Sequence, residues 1–169
     1  MGFLIQQNNH TVSIQGLEPL PRAGCLIECK AFDGVRIPWP DSSVDVCMFV
    51  DVLHHLRDIE RMLKEAWRTS RRHVLIKDHL SESKLDFAVL QLMDWVGNWP
   101  HDVKSPYNYQ TKAKWFIDFA SYDLRVVNWT DSIPLYPPPF TKAFGRRLHF
   151  IALLEKEVNE APRVGNLSP

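Results

Sequence analysis

Apolar residues follow a period of two over residues 44–50, where Val44, Val46, Met48 and Val50 share one face while Cys47 and Phe49 make the other face apolar as well. That is the pattern of a central parallel strand covered on both sides. Ile59, Met62, Leu63, Ala66 and Trp67 then recur at helical spacing behind Asp58, a suitable N-cap. Arg68, Arg71 and Arg72 gather where the dipole of a helix favours cations. A short apolar strand over 74–76 completes a strand, helix, strand crossover, the unit of a parallel sheet. Two short strands are expected earlier, over 12–17 and 25–30, bounded by Pro19, Pro21 and Gly24 and by Asp33, Gly34, Pro38 and Pro40. Residues 1–9 read as the end of a helix.

Downstream, residues 85–96 carry apolar side chains on nearly every side, interrupted by Asp86, Gln91 and Asp94, which predicts a helix that is buried or roofs a pocket. Residues 97–109 form an aromatic, Pro-containing loop, long enough to favour a functional role. Thr111 can cap a helix with Trp115, Phe116, Phe119 and Ala120 along one stripe. Two late strands are expected over 124–129 and 149–154, separated by an irregular Pro-rich stretch over 133–144. One domain over 1–156 and a frayed tail over 157–169 account for the length of 169 residues.

Composition narrows the classes. Hydrophobic and charged contents of 45% and 24% are those of a globular protein. Basic and acidic residues balance at 20 each, which argues against a dedicated nucleic-acid binder. The first ten residues lack a secretory pattern and no apolar run reaches the roughly 20 residues of a membrane helix, so a cytoplasmic protein that spans no membrane is expected. Cys25, Cys29 and Cys47 are expected as reduced thiols, Cys47 in the core.

The order of parts resembles the latter two-thirds of a class I S-adenosylmethionine-dependent methyltransferase, over roughly residues 12–155. The carrying residues are FDGVRIPWPDSSVDVCMFVDVLHHL at 32–56, EAWR at 65–68 and HVLIKDH at 73–79. They follow the family's D-x-x-x-[LI]-P-[FW]-x-D-x-[SF]-[FV]-D run into a strand and V-L-H-H. The resemblance implies an α/β, Rossmann-like methyltransferase sheet with helices on both faces, S-adenosylmethionine as cofactor, and methyl transfer to a small-molecule acceptor. Glu18 matches the acid that accepts from the ribose hydroxyls, and Asp33 with Gly34 the turn that contacts adenine. Phe49, Val50 and Asp51, at the end of the main strand, would line the methionine side of the cofactor. Each has a plainer reading: a surface Glu, an Asx turn, an acid near the next helix.

His54 and His55 are the candidate catalytic pair, able to act as a general base toward an acceptor, or simply to pack and cap. Methyl transfer from a sulfonium depends mainly on alignment and desolvation, so it does not require a base. No metal is expected, because His54, His55, His73, Asp78 and His79 match no metal-site spacing. Asp78, His79, Trp99, Tyr107 and Tyr109 are the candidate acceptor pocket, with ordinary aromatic packing as the alternative.

The family's first strand, with its E/D-x-G-x-G signature, has no counterpart. The seven glycines, at 2, 16, 24, 34, 97, 145 and 165, include no two within three residues of each other. The expected fold is therefore N-terminally truncated, with the first strand missing from between the strands at 12–17 and 44–50. Either those strands pair directly, or another chain fills the gap by self-association at the exposed inner edges, or the domain is weakly stable. A non-catalytic binding or scaffold module is the alternative function.

Overall fold

The computed structural model describes residues 2–19, 24–98, 106–133 and 147–157. The chain forms two compact units, Met1–Pro40 and Asp41–Pro169.

The first unit holds helix α1 (Gly2–Asn8) and strands β1 (Gln15–Glu18) and β2 (Glu28–Ala31), which pair in parallel from Gln15 opposite Glu28 to Glu18 opposite Ala31. Both strands start later than the apolar pattern suggests. Val12 is still held in the exit turn of α1, its N–H bonded to Asn9 O at 3.1 Å, and the chain is still turning after Gly24, whose φ is 93°. Gly16 is required in β1: a Cβ there would stand 2.7 Å from Cys29 Sγ.

The second unit is built on a four-stranded sheet. Its elements are β3 (Val44–Val50), a 3-10 turn (Leu53–His55), α2 (Ile59–Thr69), β4 (Ser70–His79), α3 (Lys84–Asn98), α4 (Lys112–Ser121), β5 (Leu124–Thr130) and β6 (His149–Lys156). The strand order is β3-β4-β6-β5; β3 and β4 are parallel, and β6 runs antiparallel to both of its neighbours. The crossover expected from the sequence is present. In α2 the buried residues Ile59, Met62, Leu63 and Ala66 form one stripe, and Asp58 Oδ1 caps the helix by accepting from Arg61 N at 2.8 Å. Asp58→Ala should cost about 1 kcal/mol of stability, read from the denaturation midpoint.

Four expectations are corrected. First, β3 is an edge strand, not a central one. Among the described residues it pairs with β4 alone, and within the first unit β1 pairs with β2 alone. At the sheet's end cover is thin: Phe49 is buried, but Val46 is 48% exposed and Cys47 half-buried. Second, the strand expected over 74–76 runs for ten residues, as β4, and occupies the sheet interior. It begins immediately after α2, so Arg71 and Arg72 belong to the strand, where they pair with Asp45 and Glu155 at 2.7 and 2.9 Å. Third, α3 is not apolar on its buried side alone. Leu90 is fully buried, but Leu85, Leu92, Trp95 and Val96 are exposed, while the acids Asp86 and Asp94 turn inward toward polar partners. Fourth, in α4 Trp115 and Phe119 are fully buried, whereas Phe116 and Ala120 are exposed, because one turn of spacing selects a narrower stripe than the sequence suggested.

Thr111 caps α4 as expected, accepting from Lys114 N at 3.2 Å. Trp115, Phe119, Phe150 and Trp129 form an aromatic stack beneath the sheet, with Trp129 and Phe150 parallel to within 9° at 4.5 Å. All three cysteines are free; burial pushes the Cys47 thiol up to about 12, partly offset by a hydrogen bond with Thr69. Among the described residues no helix is long and apolar enough to cross a membrane. Most of the Pro-rich stretch and nearly all of the tail lie outside the described residues.

Candidate functional site

Parallel strands β3 and β4 end at one side of the sheet, and antiparallel β6 begins there, with His149 opposite His79. Open parallel sheets bind ligands beyond such strand ends. The 3-10 turn after β3 delivers His54 and His55. A parallel bridge between Leu80 and Gln110, with Ser81 N donating to Gln110 O at 3.0 Å and Asn108 N to His54 O at 3.1 Å, brings Tyr109 to the same place. Helix α3 contributes Asp94.

Asp78 is the hub. Fully buried, it accepts from Leu53 N at 2.9 Å, His79 N at 2.8 Å and His54 Nδ1 at 2.6 Å. Burial alone would raise its pKa, but the hydrogen bonds and charges of His54 and His79 hold it well below the usual carboxylate range. His54 is buried too. Burial opposes its protonation, yet Asp78 and Asp94 outweigh it and bring its pKa up to about 9, so the pair is a buried ion pair near neutrality. The Nε2 of His54 points to Asp94 Oδ2 at 3.4 Å without hydrogen-bond geometry. Burial would also raise Asp94, but His54 and the Tyr109 hydroxyl, which donates to it at 2.5 Å, keep it low.

His55 has the opposite electrostatics. Burial and the positive charge of His54 lower its pKa, and its Nδ1 has no hydrogen-bond partner among the described residues. At neutral pH it is an imidazole with a lone pair to offer, to a proton or to a metal, whereas His54 as it stands is already protonated. The sequence treats the two as equivalent; their neighbours make them different.

Beside them, Asp51 takes up a left-handed backbone, φ 52°, immediately after β3, a conformation sparsely adopted by residues other than glycine. Its carboxylate is clamped by Lys77 Nζ at 2.5 and 2.6 Å, and the same ammonium lies 3.5 Å from His149 Nδ1. Burial, followed by the charges of His79 and Lys77, drives His149 down to about 3. The rings of His54, His79, His149 and Tyr109 are in mutual contact through centroid separations of 4.3 to 5.8 Å. Donor atoms of Asp51, His79 and His149, of His54, Asp78 and His79, and of His54, His55 and Asp94 lie within 4.8 Å of one another in each set.

The structure thus brings together Asp51, His54, His55, Asp78, His79 and Tyr109. Tyr107, also at a left-handed φ of 52°, is half-buried with its ring 6.2 Å from that of Tyr109. Phe49 packs in the core and Val50 is half-buried at the strand end; Trp99 lies outside the described residues. In the first unit, Glu18 is exposed at the end of β1, and Asp33 forms an Asx turn, its Oδ1 accepting from Val35 N at 2.8 Å and Arg36 N at 3.1 Å beside Gly34 at φ 75°. Three site members were not evident from sequence: Lys77, Asp94 and His149. An acid in an otherwise apolar helix is the signal that could have pointed to Asp94.

A mixed sheet carrying a β-α-β crossover, with its polar cluster beyond the parallel strand ends, is a Rossmann-like architecture. Residues 7–76 match the family described as "Methyltransferase domain". In fold the chain is similar to a chain of the complex between the Haloferax volcanii Trm112 methyltransferase activator and a methyltransferase (TM-score 0.66, 14% identity, covering 95% of this chain and 79% of that one). It is similar also to an S-adenosylmethionine-dependent methyltransferase from Mesorhizobium loti (0.67, 11%, 92% and 86%). A third likeness is to a geranyl diphosphate methyltransferase in complex with S-adenosylmethionine (0.62, 9%, 90% and 72%). No curated protein matches the sequence. The match to a methyltransferase domain covers residues 7–76, and over most of its length the chain has the fold of these methyltransferases.

Proposed function

We propose that this chain transfers a methyl group from S-adenosylmethionine to a small-molecule acceptor. The observation that carries the reading is the position of the polar cluster: it lies beyond the C-terminal ends of β3 and β4, at the end of the segment that matches the methyltransferase family. The balanced charge supports a small acceptor over a nucleic acid. A cytoplasmic location is part of the same reading.

The end of β3 fits one part of the donor. The Asp51 carboxylate at the end of β3 is held by the Lys77 ammonium, and the reading gives it the α-ammonium of the methionine moiety as a further, competing cation. Bound donor supplies an electrophilic methyl on a sulfonium; the protein's part is alignment and exclusion of water. Asp78 and Asp94 fix His54, and His54, His55, His79, Tyr107 and Tyr109 supply the walls on the acceptor side. Phe49 and Val50 hold the strand end, and Trp99 belongs to the same proposed pocket. For the first unit the proposal keeps Glu18 for the ribose hydroxyls and Asp33 with Gly34 for adenine.

Incubation with methyl-labelled S-adenosylmethionine and a panel of small hydroxyl, amine and thiol compounds should move label into the small-molecule fraction. Label released only as methanol or retained in the donor, across the panel, would contradict the reading. Asp33→Ala should weaken donor binding about tenfold, the scale of one charge-assisted hydrogen bond; unchanged affinity would leave Asp33 as the turn former its hydrogen bonds already make it.

A second reading is favoured by one observation, the lack of any close glycine pair where the family's backbone approaches the donor. In that reading the chain is a binding or scaffold module. Self-association through the edges of β1 and β3 that pair with no strand among the described residues belongs to both readings, and sedimentation would show it as a concentration-dependent dimer.

A further inference from the structure

We propose that His54, His55 and Asp94 form a binding site for a divalent transition-metal ion of the zinc type. The inference is independent of methyl transfer and stands or falls on metal binding alone.

The cluster offers three sets of donors, and two are already satisfied. Between Asp51, His79 and His149 sits the Lys77 ammonium, on both Asp51 oxygens and 3.5 Å from His149 Nδ1, so a cation fills that space. In the set of His54, Asp78 and His79, the Asp78 oxygens are taken by Leu53 N, His79 N and His54 Nδ1. The third set is different. His54 Nε2 is buried in a side chain that is 1% exposed, and among the described residues neither it nor the buried Nδ1 of His55 makes a hydrogen bond. His54 Nε2 thus faces only the Asp94 carboxylate, without a hydrogen bond, and the buried Nδ1 of His55 has no hydrogen-bond partner among the described residues, an arrangement that is costly unless something binds both nitrogens.

The separations suit a metal. His54 Nε2 lies 3.4 Å from Asp94 Oδ2, and a donor atom from each of the three residues lies within 4.8 Å of the others. Two ligands about 2.0–2.2 Å from a tetrahedral zinc stand roughly 3.3–3.6 Å apart. The His54 and His55 rings lie 4.0 Å apart, tilted by 44°.

The outer contacts are those a metal site requires. His54 gives its other nitrogen to the Asp78 carboxylate at 2.6 Å, the carboxylate, histidine, metal arrangement that fixes ring orientation and raises ligand basicity. Asp94 is oriented by the Tyr109 hydroxyl at 2.5 Å. Two imidazoles and a carboxylate favour zinc, iron, cobalt or nickel over magnesium or calcium, and three protein ligands leave a position for water or substrate oxygen. Metal entry displaces the proton of His54 Nε2 to solvent. The sequence shows no metal spacing because the third ligand comes from α3, far along the chain from the histidine pair.

The test is titration of the full chain, first stripped with chelator, by zinc chloride in competition with a chromophoric chelator, and then by cobalt(II) read in the visible spectrum. We expect one ion per chain. His55→Ala should lower affinity by more than about tenfold, and Tyr109→Phe, which removes only the hydroxyl on Asp94, by about tenfold. His73→Ala should change nothing. The cobalt spectrum should lack a thiolate charge-transfer band, which separates this site from Cys25 and Cys29. Equal affinity in wild type and His55→Ala, a thiolate band, or no stoichiometric binding would each overturn the proposal; circular dichroism of each variant confirms that it is folded.

Discussion

Asp78→Ala is expected to destabilise the protein by about 3–5 kcal/mol, the cost of breaking a buried ion pair from one side. The change removes the acceptor for three donors at once: the His54 ring, Leu53 N and His79 N. It leaves the His54 imidazole, held in its protonated form by two carboxylates, with only the more distant Asp94. Chemical denaturation with a shared m-value reads the loss directly. A cost below about 1 kcal/mol would mean that the Asp78 network is replaced by water, and that the site is not held by it. The double variant His54→Leu/Asp78→Leu should cost less than the sum of its single changes, because replacing both members with apolar groups leaves no charge unpaired.

The second large effect lies underneath the site. Trp115→Ala should cost about 3–5 kcal/mol, as expected for emptying a fully buried aromatic position. Trp115 stacks on Phe119 and tilts onto Phe150 with centroids 5.6 and 5.3 Å away, and its Nε1 donates to His79 O at 3.3 Å. The substitution therefore opens a cavity next to the backbone that carries His79. Trp115→Phe retains the stack and loses the hydrogen bond, so it should cost clearly less. Equal losses for the two variants would assign the effect to the hydrogen bond and not to packing.

How much of this was legible in the sequence follows the range of the interactions. The crossover of β3, α2 and β4, the Asp58 and Thr111 caps and the two late strands rest on patterns within a few residues, and they are present. The apolar run over 44–50 does not say whether a strand lies at the edge or the centre of its sheet. That depends on which partners exist, and β3 has one. The composition of α3 misled for a related reason. Its apolar residues outnumber its acids, but the acids find buried polar partners, Ser83 for Asp86 and His54 with Tyr109 for Asp94, and these fix which face turns inward.

At the site the sequence identified residues better than roles. His54, His55, Asp78, His79 and Tyr109 were all singled out and all meet. The division of the histidine pair into a protonated and a neutral ring could not be read from two adjacent letters, because it comes from Asp78 and Asp94, one strand and one helix away. Lys77 and His149 were hidden for the same reason: the antiparallel register of β4 and β6, not any spacing, places them together. The left-handed φ of Asp51 likewise has no sequence signal, since nothing but its position after β3 marks it.

The most direct test of the account is isothermal titration of the full chain with S-adenosylmethionine and with its demethylated product, in the presence of chelator so that metal binding does not contribute. Micromolar one-to-one binding of both is the predicted result, with the affinity lowered by Asp51→Ala. No heat at millimolar ligand would contradict the proposed methyl transfer for this chain and leave the binding-module reading in its place.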